Sequence, residues 1–164
     1  MQIFTQHQQL CIRRFLRADK NDFIQIVQHP LCMKYSAAGV LSKQQANVFF
    51  ESLADNKKHK MYAIEESVSG RVIGCTGLQE CCVEYDSSAS FVLCLLPEFN
   101  QHQDLHPLLL QFVDNLISLY QLPYLQAIVA QKNHFNMQLL SDLNFKRVKS
   151  ITCQTINSYL YQTR

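Results

Sequence analysis

The segment from residue 88 to residue 130 constrains the fold most, because it joins an apolar strand, a polar loop, an amphipathic helix and a second apolar strand. "SASFVLCLL", at 88–96, is apolar along most of its length, which is typical of a strand in the centre of a sheet. Apolar residues then recur every three or four positions from Leu108 to Tyr120, which predicts a helix. "YLQAIVA", at 124–130, predicts the next strand. This alternation favours an α/β sheet with helices on both faces.

The rest of the chain predicts five more strands and three more helices, without a linker or an internal repeat, so we expect one domain over 1–164. The predicted order is β-α-α-β-β-β-α-β-α-β-β. The additional strands are placed at 10–15, 60–66, 72–81, 145–153 and 155–162, and the additional helices at 19–28, from 42 onward and at 133–143. Asp19 and Ser42 are the predicted N-caps of the first two helices.

Composition excludes several classes of function. The net charge is only +2, which argues against binding nucleic acid by neutralising its phosphates. The basic run Lys57-Lys58-His59-Lys60 is interpreted as a solvated loop. No segment has the roughly 18 unbroken apolar residues of a membrane span, and "MQIFTQHQQL" lacks the features of a signal peptide. We therefore expect a cytoplasmic protein that binds neither nucleic acid nor membrane.

The seven cysteines are spaced irregularly and include no CxxC pair, so the sequence indicates neither a metal site nor a disulfide framework. Several of them lie inside apolar stretches, where a reduced thiol behaves as a small hydrophobic group.

The loop "PEFNQHQD", at 97–104, has the position of an anion-binding site but contains no glycine. A helix N-terminus attracts anions through its unpaired N–H groups and its dipole, and glycines normally let the backbone come close. Here Asp104 adds a negative charge, worth on the order of 1 kcal/mol of repulsion in wet surroundings. Asp104 is also a predicted N-cap that would occupy the same N–H groups. Pro107 donates no N–H, whereas His102 and His106 would help if protonated.

Taken in order along the chain, several stretches resemble the GNAT superfamily of N-acetyltransferases, most closely its ribosomal-protein N-terminal acetyltransferase branch. They cover the chain from Leu10 to about Tyr161 and are "LCIRRFLRADKNDF", "HPLCMKY", "MYAIEESVSGRVIGCTGLQE", "LLPEF" and "NHFNMQLLSDLNF". The resemblance implies the acyl-CoA N-acyltransferase fold, with a mixed, mostly antiparallel sheet of about six or seven strands and helices on both faces. It is also compatible with a homodimer, since many members dimerise.

The resemblance implies acetyl-CoA as co-substrate and an amine as acceptor, either a small molecule or a protein N-terminus or lysine. In the family the pantetheine arm lies between the fourth and fifth strands and the pyrophosphate lies on the loop that follows the fourth. Carried over to this chain, the arm would meet the backbone of Cys94, Leu95 and Leu96 and the side chain of Asn133. The residues implied at the pyrophosphate are Gln101, His102, Gln103, Asp104, Leu105 and His106. Two of them, Gln101 and Gln103, replace the glycines of the family's Gly-x-Gly pattern. Asn133 is equally suited to capping a helix.

The family's acid and base residues are mostly replaced. Asn136 stands where relatives have Ser or Ala, and an amide donates a hydrogen bond but does not act as an acid near neutral pH. The tyrosine that some relatives use as general acid falls at Leu140, and the glutamate of the fourth strand falls near Ser90. Glu84 is the candidate carboxylate for taking up the proton of the amine, with Glu80 and Asp86 as neighbours. Ser90 and Asn136 complete the candidate catalytic residues.

Two alternatives to an enzyme remain. The missing glycines, tyrosine and glutamate favour a non-catalytic GNAT-fold module that has lost its cofactor and serves in regulation or protein interaction. The apolar fourth strand, "LLPEF" and Asn133 favour the acetyltransferase. A different α/β domain is the third interpretation.

Overall fold

The computed structural model describes residues 3–36, 38–54, 60–80, 89–153 and 155–163. The strands in this part of the chain form one sheet in the order β1-β2-β3-β4-β5-β6-β8-β7. The strands are β1 Ile3–His7, β2 Leu10–Arg13, β3 Lys60–Glu66, β4 Arg71–Glu80, β5 Ala89–Leu95, β6 Gln126–Ala130, β7 Lys146–Cys153 and β8 Ile156–Gln162. The helices are α1 Lys20–Gln28, α2 Lys43–Ala54, α3 Leu105–Tyr120 and α4 His134–Asp142. Neighbouring strands are antiparallel, except that β5 and β6 run parallel.

The predicted α/β architecture is confirmed, but the expected strand count was too low because β1 was missed. β1 forms an antiparallel hairpin with β2, and Phe4 packs its ring 4.8 Å from Tyr62 and 5.2 Å from Phe112. Glutamines are frequent in "MQIFTQHQQL", so the alternation of apolar and polar residues that would predict a strand is weak here. In the turn between β1 and β2, Gln8 adopts a positive φ of 43°. Glycine or asparagine usually occupies such a position, so the sequence gives no sign of a turn here.

The sheet carries a core on each face. β3 shows the alternation that separates them: Tyr62 and Ile64 pack in the core that α3 and α4 cover, whereas Ala63 between them faces α1 and α2. None of the helices in the described part of the chain is both long and apolar enough to cross a membrane.

A buried ion-pair network ties β2 to the start of α1 and to β3. The Arg13 side chain is 2% exposed and donates to both Asp19 oxygens at 2.7 and 2.9 Å. Its Nε donates to Glu65 at 2.6 Å. Asp19 stands at the N-cap position, but its carboxylate accepts from Arg13 and from the Leu16 N–H at 2.7 Å and makes no cap hydrogen bond to α1. The predicted capping role of Asp19 was therefore wrong.

Ser42, by contrast, caps α2 as predicted. Its hydroxyl accepts from the Gln45 N–H at 3.2 Å, and the Gln45 side chain accepts from the Ser42 N–H at 2.8 Å. This reciprocal pair is a capping box built with glutamine, and it starts α2.

We expect Asp19→Ala to lower the free energy of unfolding by about 3–5 kcal/mol, because it leaves the buried Arg13 guanidinium without its bidentate partner. Urea denaturation measures the change. The matched control is Glu51→Ala, which removes the exposed pair with Lys20 and should cost far less, because water screens an exposed ion pair. Equal losses in the two variants would contradict a central role for the Arg13 network.

Candidate functional site

The sheet opens between β5 and β6. These parallel strands share one registered pair, Ser90 with Gln126, and diverge beyond it. Three consecutive residues in the middle of β5, Val92, Leu93 and Cys94, are only half-buried although β5 lies inside the sheet, and Ile128 on β6 is likewise half-buried. We call this opening the β5–β6 gap.

The backbone register decides which groups of β5 face the gap. The Leu96 N–H donates to the Ile73 carbonyl on β4 at 2.9 Å. Because backbone groups point alternately to the two sides of a strand, the backbone of Cys94 also points to β4, whereas that of Leu93 and Leu95 points into the gap. Of the residues predicted to bind through their backbone, Leu95 is on the gap side. Leu93 was not predicted, since its position on the gap side follows only from the register.

Close packing of β4 on β5 depends on Gly74. A Cβ at this position would lie 2.6 Å from the Cys94 carbonyl oxygen and 2.8 Å from the Leu95 side chain. The glycine lets β4 bond to one edge of β5 while the other edge borders the gap.

Residues 31–35, which we call the strap, cross the mouth of the gap. The Cys32 thiol donates to the Leu95 carbonyl at 3.3 Å, at the end of β5. The Tyr35 hydroxyl donates to the Lys132 carbonyl at 2.9 Å, just after β6. The strap is therefore attached to the end of each diverging strand. Neither Cys32 nor Tyr35 was predicted as a site residue, because both partners are distant in sequence.

The thiols near the strap are held in their neutral form. The hydrogen bond with Cys94, followed by burial, raises the pKa of the Cys32 thiol far above its ordinary value. For Cys94, the bond with Cys32 lowers the pKa, but the bond with Cys75 and burial outweigh it and raise the pKa overall. Since the thiolate is the nucleophile, Cys32 and Cys94 are poor candidates for a covalent intermediate near neutral pH.

The N-terminus of α3 differs from its prediction. Asp104 is 2% exposed, and its carboxylate accepts from the Gln9 N–H at 3.2 Å rather than from α3. The predicted capping by Asp104 was therefore wrong, because the β1–β2 turn supplies a distant partner. The His102 side chain takes the Asp104 N–H at 3.2 Å, and the His102 carbonyl takes the Leu105 N–H at 3.0 Å. Pro107 has no N–H, so His106 offers the remaining amide of the first turn.

The predicted loop residues gather at the end of β5, as expected, but their side chains have separate roles. Gln101 and Gln103 are exposed on the rim. His102 stacks on Phe99 with ring centroids 6.4 Å apart. The His106 ring contacts the Asp142 carbonyl at 3.1 Å and so links the start of α3 to the end of α4.

The start of α4 lies just beyond β6. Asn133 accepts from the Asn136 N–H at 3.2 Å, which confirms the capping interpretation of Asn133. Its predicted contact with a cofactor stays a prediction. Leu140 is buried in the core, and Ser90 is buried at the closed end of the gap. Glu84, with Asp86, Cys81 and Cys82, lies outside the described residues.

The chain belongs to the GNAT acetyltransferase family, because the model of the acetyltransferase (GNAT) domain matches residues 9–146. The resemblance in the sequence is thereby confirmed. Among curated protein sequences there is no significant match.

Solved structures share the fold over nearly the whole chain. An acetyltransferase (GNAT family) from Bacillus anthracis is 14% identical with a TM-score of 0.81, covering 98% of this chain and 97% of that one. Spermidine N-acetyltransferase from Vibrio cholerae, solved in complex with CoA and spermine, is 15% identical with a TM-score of 0.78, covering 95% of each chain. Ribosomal-protein-S5-alanine acetyltransferase from Vibrio fischeri is 11% identical with a TM-score of 0.75, covering 96% of this chain and 94% of that one.

We expect Tyr35→Phe to loosen the strap without unfolding the protein. The variant removes the hydroxyl that donates to Lys132, and an exposed hydrogen bond contributes only about 1 kcal/mol. Hydrogen–deuterium exchange should show faster exchange of the amides at 31–36 and an almost unchanged melting temperature. Tyr124→Phe, outside the strap, is the control. Unchanged exchange at 31–36 in Tyr35→Phe would contradict the attachment of the strap to β6.

Proposed function

We propose that the protein transfers the acetyl group of acetyl-CoA to an amine, which is a small molecule or a protein N-terminus or lysine. The observation that carries the proposal is the β5–β6 gap, which leaves the backbone groups of Leu93 and Leu95 facing an opening inside the sheet. The GNAT family uses acetyl-CoA, and the Vibrio cholerae relative was solved with CoA.

The residues present fit a pantetheine arm better than a pyrophosphate. A chain of amides suits the gap edge of β5, where Leu93 and Leu95 would pair with it like a neighbouring strand. The Leu95 carbonyl already accepts from Cys32, so the arm would share that oxygen or use the Leu95 N–H. At the helix end, the backbone amides of Gln101, Gln103 and His106 would hold phosphate oxygens, but the side chains of the two exposed glutamines restrict the approach that a glycine loop would allow.

Bound acetyl-CoA supplies a thioester whose carbonyl carbon is open to attack by an amine. The chain's own part is to hold both reactants in the gap and to exclude water, a kind of positioning that is worth several kcal/mol. The neutral thiols of Cys32 and Cys94 favour direct attack by the amine. Glu84 remains our candidate for the base that takes up the proton of the amine, and Ser90 and Asn136 remain our candidates for polar contacts with the reactants. A dedicated acid at Leu140 is not needed, since a thiolate leaves readily.

A non-catalytic module is the second candidate, and the start of α3 favours it. The Asp104 and Leu105 amides are already bonded to His102, and Pro107 has none, so little of the usual anion site is left.

Cofactor binding separates the two candidates. We expect calorimetry to detect binding of acetyl-CoA, and the double variant Gln101→Gly with Gln103→Gly to bind about tenfold more tightly, or about 1.4 kcal/mol, because the backbone becomes accessible to phosphate. The control is Gln8→Gly, at a glutamine of positive φ in the β1–β2 turn. If neither the parent protein nor the double variant binds at millimolar acetyl-CoA, the proposal fails and the non-catalytic module stands.

A further inference from the structure

The outer side of β7 is exposed along the first five residues of the strand. β7 is the last strand in the sheet order, and β8 pairs with its other side. Strand residues that pack on a core alternate between buried and exposed, but residues 146–150 are all exposed, so neither face of β7 is covered there. We call the side of Lys146–Cys153 that points away from β8 the β7 edge.

The opposite edge of the sheet is built differently. β1 has only five residues, Phe4 packs its ring against Tyr62 and Phe112, and Thr5 is 5% exposed. β7 has eight residues and lies in the open. On the outer side of an edge strand, the N–H and C=O groups of alternate residues point outward, where another strand can pair with them. The β7 edge is therefore suited to strand addition.

A β-bulge at Val148 decides which side chains of β7 share a face. Lys146 is the register partner of Gln162, and Lys149 is the register partner of Leu160. Because these partners are two residues apart on β8, the two lysines lie on the same face of the sheet although they are three residues apart on β7. Val148, the extra residue of the bulge, is 53% exposed.

The other face of β7 also carries positive charge. Arg147 is exposed and is the register partner of Tyr161. Its guanidinium carbon lies 4.7 Å from the centroid of the Tyr159 ring, and this cation–π contact holds the guanidinium in place. The sequence of the β7–β8 hairpin, at 146–162, contains these three basic residues and no acidic one. The β7 edge is therefore positive on both faces.

The charges favour an acidic strand over a second copy of β7. Two β7 strands side by side would bring six basic side chains together, and lysines on an edge strand commonly prevent such pairing. An extended acidic segment would instead place its carboxylates opposite the bases while its backbone pairs with the edge. Carboxylates on alternate residues of that segment point to one face, which matches the arrangement of Lys146 and Lys149.

We propose that the β7 edge binds an extended, acidic peptide segment of another protein as an added strand. Carboxylates on alternate residues of the peptide face Lys146 and Lys149, and backbone hydrogen bonds fix its register. The proposed interaction is separate from acetyl transfer, since β8 and β6 lie between β7 and the β5–β6 gap.

The test uses fluorescence anisotropy with a labelled peptide of eight residues, alternating threonine and glutamate and blocked at both ends. We expect saturable binding by the full chain. A peptide with glutamine for glutamate lacks the charge, and one with proline for threonine keeps the charge but cannot extend the sheet. Both should bind at least about tenfold more weakly, or about 1.4 kcal/mol.

Charge reversal locates the site on the protein. The double variant Lys146→Glu with Lys149→Glu should weaken binding at least about tenfold, or about 1.4 kcal/mol. The matched control is Lys34→Glu with Lys43→Glu, which makes the same charge change at two exposed lysines outside β7 and should bind like the parent protein. In ¹⁵N-labelled parent protein, the peptide should shift the amide resonances of 146–152.

Four results would overturn the proposal, and three of them need only the parent protein. The first is the absence of binding at millimolar peptide. The second is equal binding of the proline peptide, which leaves only unspecific attraction between charges. The third is dimerisation of the protein without peptide, seen by ultracentrifugation together with concentration-dependent shifts at 146–152, because the occupant would then be a second copy. The fourth is an equal loss of binding in the two double variants.

Discussion

The single registered pair between Ser90 and Gln126 is the constraint on which the rest of the structure depends. Parallel strands in a sheet normally continue side by side, but β5 and β6 separate after this pair. β5 remains paired with β4 along its whole length, and β6 remains paired with β8. The sheet therefore consists of two wings, β1 to β5 and β6 to β8, which are joined at this one pair. The cores on both faces hold this shape, and the strap connects the wings again at their far ends.

Most elements follow from local pattern and were predicted from the sequence. β3 was placed at its observed bounds, because alternation over 60–66 is clear and a turn follows it. Helix α4 and its Asn133 cap were likewise readable from local sequence. β1 was not predicted, because its glutamines hide the alternation of apolar residues and because Gln8 stands where a turn usually has glycine or asparagine.

The site was less predictable because its decisive contacts join distant parts of the chain. Asp104 satisfies the local rule for an N-cap, yet its carboxylate bonds Gln9, 95 positions away. Asp19 likewise stands at an N-cap position, but its carboxylate pairs with the Arg13 guanidinium instead of capping α1. The bond from Tyr35 to Lys132 spans 97 positions and has no local signal. Family resemblance placed the gap on the correct strands, whereas the choice of Leu93 over its neighbours required the register.

In the proposed function, the protein works mainly by positioning the two reactants. The thiols close to the strap are neutral, and Leu140, at the position that the resemblance assigns to the general acid, is a buried apolar side chain. Few free N–H groups remain at the start of α3 to bind phosphates. The binding energy for a cofactor would therefore come chiefly from the backbone groups of β5 that face the gap. In the proposed function, cofactor recognition would therefore depend mainly on backbone groups, which single side-chain changes leave largely intact.

The most direct measurement is a titration of ¹⁵N-labelled protein with CoA, followed by the backbone amide resonances. Binding in the gap predicts large shifts for the amides of Leu93, Leu95 and His106, and small ones for Val92 and Cys94, whose amides point to β4. Saturable shifts confined to other surfaces, or none at millimolar CoA, would contradict the claim that the gap between β5 and β6 is a cofactor site.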